Sequence, residues 1–169
     1  MWLSGLKFSR RAAWVAAVRH WLLPILLFSL GSCAGPPPPL EVKQFRLRDF
    51  EIDNSSDSMV RGEKQRRLYG AVSAAERFER LGSYYTILWS DPKGAGSGEA
   101  EILFEYQQGA TASQIKRLTR KFPSAEASGK TEIPIIGADF RNNGRILAWK
   151  VTLSRGGRAI ATTQSYLWQ

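Results

Sequence analysis

The sequence predicts an all-β domain, an antiparallel β-sandwich with one short helix. Three observations carry that reading. Apolar residues after Leu40 recur mostly at period two, the period of strands. Clusters of Gly, Asn, Asp and Ser separate these runs. The last two runs flank Gly156-Gly157, a two-residue hairpin signal. A content of 43% hydrophobic and 23% charged residues suits a folded chain rather than a disordered one.

Each element has its own reason. Val42–Ile52, rich in Phe, Leu and Arg, predicts the first strand, and Asn54–Ser58 a loop. Leu68–Ser73 predicts a strand, followed by a turn or short helix over the helix formers of Ala74–Leu81. Tyr84–Ser90 reads as a strand from its aromatic and β-branched content. Asp91–Gly98 is a turn. Ala100, Ile102, Phe104 and Tyr106 then alternate with Glu99, Glu101 and Glu105, a half-buried strand with an acidic wet face.

Thr111–Phe122 sends two signals. Ile115, Leu118 and Phe122 have helical spacing, and Thr111 with Gln114 fits a capping box. An extended Gln114–Phe122 suits the antiparallel context, its Lys116, Arg117, Arg120 and Lys121 blunting an edge. The strand is the reading adopted. Thr131–Phe140 predicts another strand, with Pro134 marking an edge or bulge.

A turn at Gly156-Gly157 pairs Arg155 with Arg158. Continued without interruption, that register puts Leu153/Ile160, Val151/Thr162, Trp149/Gln164, Leu147/Tyr166 and Arg145/Trp168 on one large apolar face. The other face takes Ser154/Ala159, Thr152/Ala161, Lys150/Thr163 and Ala148/Ser165. Trp149 and Trp168 are therefore expected inside and Lys150 outside. The total is about seven strands. In strand count and spacing this resembles immunoglobulin or fibronectin type III domains, without a buried cysteine pair. The resemblance implies a fold and no function. A closed barrel is the structural alternative.

The first 32 residues read differently. Lys7, Arg10, Arg11 and Arg19 form a basic segment without acids, and Trp21–Leu30 is an apolar run. That run is too short to cross ~30 Å of hydrocarbon as a helix, and it suits a signal peptide. Leu30-Gly31-Ser32-Cys33 follows, an aliphatic residue and two small residues before the only Cys. This quartet resembles the lipobox of bacterial lipoproteins. The resemblance implies cleavage before Cys33, a diacylglycerol on its thiol and an acylated new amine. Ala34, rather than Asp, implies the outer membrane more than the inner one. Pro36–Pro39 predicts a polyproline spacer of about 12 Å. The expected organisation is thus 1–32 signal peptide, 33–40 lipidated Cys and tether, 41–169 sandwich.

The net charge of +9 suggests nucleic acid at first sight. It falls to +5 without the signal segment, and an exported chain does not meet nucleic acid. The expected partners are the membrane, through the anchor, and an envelope protein or glycan. His20 is the only His and lies in the signal segment, so the mature chain lacks imidazole and free thiol. That disfavours His-based nucleophilic mechanisms and the usual zinc sites. No cofactor, metal or catalytic residue is expected, and the one site residue is Cys33. Carboxylate pairs remain as a route to hydrolysis. Tyr84, Tyr85, Trp89 and Tyr106 are the residues that would stack on sugars under a carbohydrate-binding alternative, although strand aromatics are usually core. Gly94-Ala95-Gly96-Ser97-Gly98 has the look of a phosphate loop, but it lacks the following helix and Lys-Ser/Thr pair.

Overall fold

A computed structural model describes residues 38–51, 57–111 and 113–168. Seven strands dominate: β1 (Leu40–Leu47), β2 (Gly82–Ser90), β3 (Ala100–Gln108), β4 (Ile115–Phe122), β5 (Ser128–Ile136), β6 (Ile146–Arg155) and β7 (Arg158–Gln164). They form two antiparallel sheets, ordered β1-β2-β5 and β4-β3-β6-β7. The β3–β4 and β6–β7 connections stay within one sheet, whereas the chain changes sheets after β2, β4 and β5.

The core lies between the sheets. Tyr85, Ile87 and Trp89 of β2, with Ile133 and Ile135 of β5, face Ala100, Ile102, Phe104 and Tyr106 of β3 and Val151 and Leu153 of β6. Period two explains why those residues, and not their neighbours, point inward. Aromatic contacts cross the gap: the Tyr85 ring lies 4.8 Å from Phe104 and 5.9 Å from Trp149. Tyr84, Tyr85, Trp89 and Tyr106 are all buried, as strand aromatics in a core are, and none is exposed for stacking on a sugar.

Three short helices depart from the expected plan. The α1 helix (Ser58–Leu68) and α2 helix (Ala74–Glu79) join β1 to β2, and α3 (Gly137–Asn143) follows β5. The strand expected at Leu68–Ser73 is absent: Leu68 ends α1, and the next residues turn into α2. Asp57 caps α1 by accepting from the Met59 and Val60 amides. Ser73 and Glu76 form a reciprocal capping box on α2. These helices cover the outer face of the three-stranded sheet, where Leu47, Leu68 and Tyr84 pack with Phe45, Phe50, Leu81 and Ile136.

Boundaries also differ. The first strand stops at Leu47, opposite Gly82 where β2 begins, so the chain beyond has no ladder to join. The expected Val42–Ile52 strand thus ends early, and Ile52 lies outside the described residues. The expected Thr131–Phe140 strand gives way at Gly137, whose φ of 61° belongs to the left-handed region. The extended reading of Gln114–Phe122 holds, as β4 covers Ile115–Phe122, and Pro134 sits on an edge strand, as expected.

The C-terminal hairpin follows the expected register only for its first two pairs. Gly156 and Gly157 have φ of 54° and 81°, and Arg155 opposes Arg158. Between Leu153 and Ser154 the register shifts, and Leu153 opposes Ala161 instead of Ile160. This is a bulge at Ile160. It turns Ile160 outward, 40% exposed, and lets Ala161 pack on the core. The uninterrupted face does not form: β7 ends at Gln164, and Tyr166 is 98% exposed. Trp149, Trp168 and Lys150 are each half-buried rather than cleanly inside or outside.

The bulge can be tested by truncation. Phe104→Ala should cost about 3–5 kcal/mol in urea unfolding, as large core truncations do. Ile160→Ala should cost about 0.5 kcal/mol or less, as surface changes do. Comparable losses would mean that Ile160 faces the core and the register is continuous.

Candidate functional site

The acidic and basic rows of the four-stranded sheet are each other's partners. Glu105 stands opposite Arg117 across the β3–β4 ladder, and Glu101 opposite Lys121. The Arg117 Nε donates to Glu105 at 2.8 Å, and Lys121 lies 3.7 Å from Glu99. Lys116 is drawn off to Asp139, at 2.7 Å. Opposite charges at such cross-strand positions support the sheet by roughly 0.2–1 kcal/mol a pair. The glutamates therefore lie in a row on one sheet face and do not converge on a cleft.

The glycine-rich loop between β2 and β3 is organised by a buried arginine. Arg155, at the end of β6, donates from Nε to Asp91 at 2.7 Å. Its Nη1 reaches the carbonyls of Gly98 and Ser124, and its Nη2 that of Glu126. A Cβ at Gly94 would sit 2.0 Å from the Asp91 carboxylate, so that glycine makes room for the ion pair. The amides of Gly94, Gly96 and Ser97 are already bound to Asp91, Ser124 and Gly94 carbonyls. The loop is a crossover between the two sheets, and these three donors serve the protein itself. An open cavity of about 350 Å³ beside it is lined by Asp91, Lys93, Ser97, Arg155 and Arg158.

The second charged cluster lies where α1 meets the outer face of the three-stranded sheet. Arg67 is buried, its guanidinium 4.1 Å over the Tyr84 ring and paired with Glu132 of β5. Arg66 binds Glu63 at 2.8 Å and lies 3.7 Å from Glu132. The Arg67 Nε is 3.5 Å from Glu63 without the geometry of a hydrogen bond. Beside this clamp opens a cavity of about 290 Å³. Lys43, Arg66 and Lys130 supply positive charge to it, and Phe45 and Met59 supply apolar walls.

Glu63 lines this cleft, and Arg66 bridges it to Glu132 of β5. Both are tied to arginines. The hydrogen bond from Arg66 holds the Glu63 carboxyl below the usual carboxylate range, against the opposing effect of burial. General-acid work at neutral pH needs a carboxyl raised by its surroundings. Glu63 is moved the other way, so the cluster suits anchoring and binding of charge. Burial, together with neighbouring Arg66, lowers the Arg67 pKa.

Among the described residues, no group of three His, Cys, Asp or Glu is placed to hold a metal ion. No described helix is long and apolar enough to cross a membrane. Cys33 lies outside the described residues. Compared with protein-family models, curated proteins and solved structures, the chain matches none. Sequence reasoning overlooked both arginines. For Arg155 a signal existed, a cation at the end of an otherwise apolar strand face. For Arg67 there was none.

Two outcomes test these sites. Arg155→Ala should destabilise by about 3–5 kcal/mol, because it strands Asp91 and several carbonyls. A loss of about 0.5 kcal/mol in urea melts, the surface value, would demote the residue. The second concerns alkaline pH. Burial, with Asp139 adding, pushes the Tyr106 phenol up to about 12, and burial raises Tyr84 and Tyr85 too. Unfolded phenols ionise near pH 10 and the folded ones later, so stability should hold to about pH 10 and fall above it. Tyr106→Phe should flatten that fall in pH-resolved melts, and an unchanged slope would count against the shift.

Proposed function

We propose that the chain is a lipid-anchored, noncatalytic protein of the bacterial cell envelope whose sandwich has a binding or structural role. The observation that carries this reading is Leu30-Gly31-Ser32-Cys33, with the only thiol at the end of an apolar export segment. Further support comes from the position of β1. It begins at Leu40, directly after the four prolines, which leaves a tether of a few residues between Cys33 and the domain. A domain so tethered works close to the lipid surface. Three acyl chains exceed the two signals that stable anchoring needs. The outer membrane is the favoured location, on the residue after the Cys.

The binding role rests on the cleft under α1. Its arginines are neutralised around Glu63 and Glu132 and Lys43 lies 3.4 Å from Glu41, while Lys130 adds positive charge at the rim. An envelope protein or glycan carrying negative charge suits such a rim. The likeness to immunoglobulin and fibronectin type III sandwiches is architectural and adds no activity.

Metabolic labelling with a fatty-acid analogue tests the anchor. The chain should incorporate label and partition with membranes, and Cys33→Ala should lose the label and remain uncleaved. Labelling that survives Cys33→Ala would refute the proposal. Turnover is tested on glycan, peptide and ester panels, where none is expected. Activity abolished by Glu63→Gln or Glu132→Gln in a folded chain would establish a carboxylate-dependent hydrolase instead.

A further inference from the structure

The two sheets present four edges, and three of them carry devices against pairing with another chain. The β1 edge carries Glu41, Lys43 and Arg46. The β4 edge carries Lys116, Arg117, Arg120 and Lys121. The β5 edge carries Lys130, Glu132 and Pro134. Charges and proline are the usual means of blunting an edge. The β7 edge differs. Its only charge is Arg158, at the turn, and Ala159–Gln164 is uncharged, free of proline and rich in β-branched residues.

This edge is also accessible. Among the described residues β7 pairs with β6 alone; β1, the edge strand of the facing sheet, comes near β7 without joining its ladder. Ile160, Thr162 and Gln164 are exposed. The apolar Tyr166 and Leu167 follow, 98% and 62% exposed. The bulge at Ile160 confines the regular ladder to Ala161–Gln164.

We propose that β7 is an interaction edge that pairs antiparallel with β7 of a second copy of this chain. The pairing joins two four-stranded sheets about a two-fold axis near Thr162 or Thr163. Self-pairing suits this strand for a reason of charge. Antiparallel symmetry sets Ala161–Gln164 against the same neutral residues and places the two Arg158 side chains at opposite ends. At β4 the same symmetry would set four cations against four more. A two-fold contact of one strand with itself is self-complementary, as closed dimers require. Main-chain hydrogen bonds supply the attraction, as in other strand additions. Tyr166 and Leu167, next along the chain, add apolar surface beside the new ladder.

The test uses the full chain carrying Cys33→Ser, purified in detergent, so that an introduced thiol stands alone. Single cysteines are placed along Ile160–Gln164 and, as control, at Thr119 on β4. Sedimentation should show a concentration-dependent dimer. Mild oxidation should cross-link T162C or T163C strongly and T119C weakly, since a disulfide needs Cα atoms within about 7 Å. Thr162→Lys places like charges at the axis and should weaken the dimer about tenfold or more, with an unchanged circular dichroism spectrum. Gln164→Lys, also at an exposed position, serves should Thr162→Lys fail to fold. A chain that stays monomeric at every concentration overturns the proposal. So does cross-linking at Thr119 as strong as at Thr162 and Thr163.

Discussion

The buried guanidinium of Arg155 sets the connectivity of one whole end of the sandwich. It reaches two pieces of chain that are far apart in sequence: Asp91 and Gly98 around the β2–β3 loop, and Ser124 and Glu126 in the β4–β5 connection. Each piece changes sheets at that point. A planar cation with five donors suits the task, because no other side chain can satisfy so many acceptors at once. Its bond to the Asp91 carboxylate supplies the compensating charge that a buried cation requires. Gly94 follows from the same constraint, since it must leave room for that carboxylate.

Electrostatics elsewhere follows from strand register. With β3 and β4 antiparallel and Phe104 opposite Leu118, Glu105 meets Arg117, and Lys121 comes within reach of Glu99. Two features that look like separate sites in the sequence are thereby joined by two ion pairs, Arg117 with Glu105 and Lys121 with Glu99. The outer face of the other sheet solves a different problem. It bears Tyr84, Phe45 and Leu47, which α1 and α2 cover, and Glu132, which Arg66 and Arg67 neutralise.

The strands were legible because their signal is local. Alternation in Ala100–Tyr106, aromatic content in Tyr84–Ser90 and the Gly156-Gly157 turn each report on neighbouring residues. The capping box of Ser73 and Glu76 was equally present in the sequence, yet Leu68–Ser73 was read as strand. The α1 helix was harder. Only Arg67 and Leu68 of its residues are buried, so it has almost no apolar stripe, and Gly62 weakens its interior. Tertiary contacts hold it, and those join residues such as Arg67 and Glu132 that the sequence separates widely. The bulge at Ile160 was invisible for a similar reason: one extra residue leaves composition and turn chemistry unchanged while moving every later side chain. Of the sites, Cys33 is a matter of sequence alone, whereas the cleft under α1 exists only through packing.

The opposite end of the sandwich is built to another standard. There Gln108 turns inward and donates to Gly144 and Asp139 carbonyls, but its Oε1 has no hydrogen-bond partner among the described residues. The Tyr85 hydroxyl and Arg46 Nε share that condition. Unmet buried polar groups cost about 1–3 kcal/mol each. The Arg155 end holds such an atom too, the Trp89 Nε1, but there the four hydrogen bonds of Arg155 tie two loops to β6, and no comparable clamp joins the α3 end. Amide exchange should reflect this polarity, with β2, β3 and β6 fraying first at their Gly82, Gln108 and Ile146 ends. Local opening would start there and travel along the strands, leaving the loops around Arg155 as the last part of the domain to loosen.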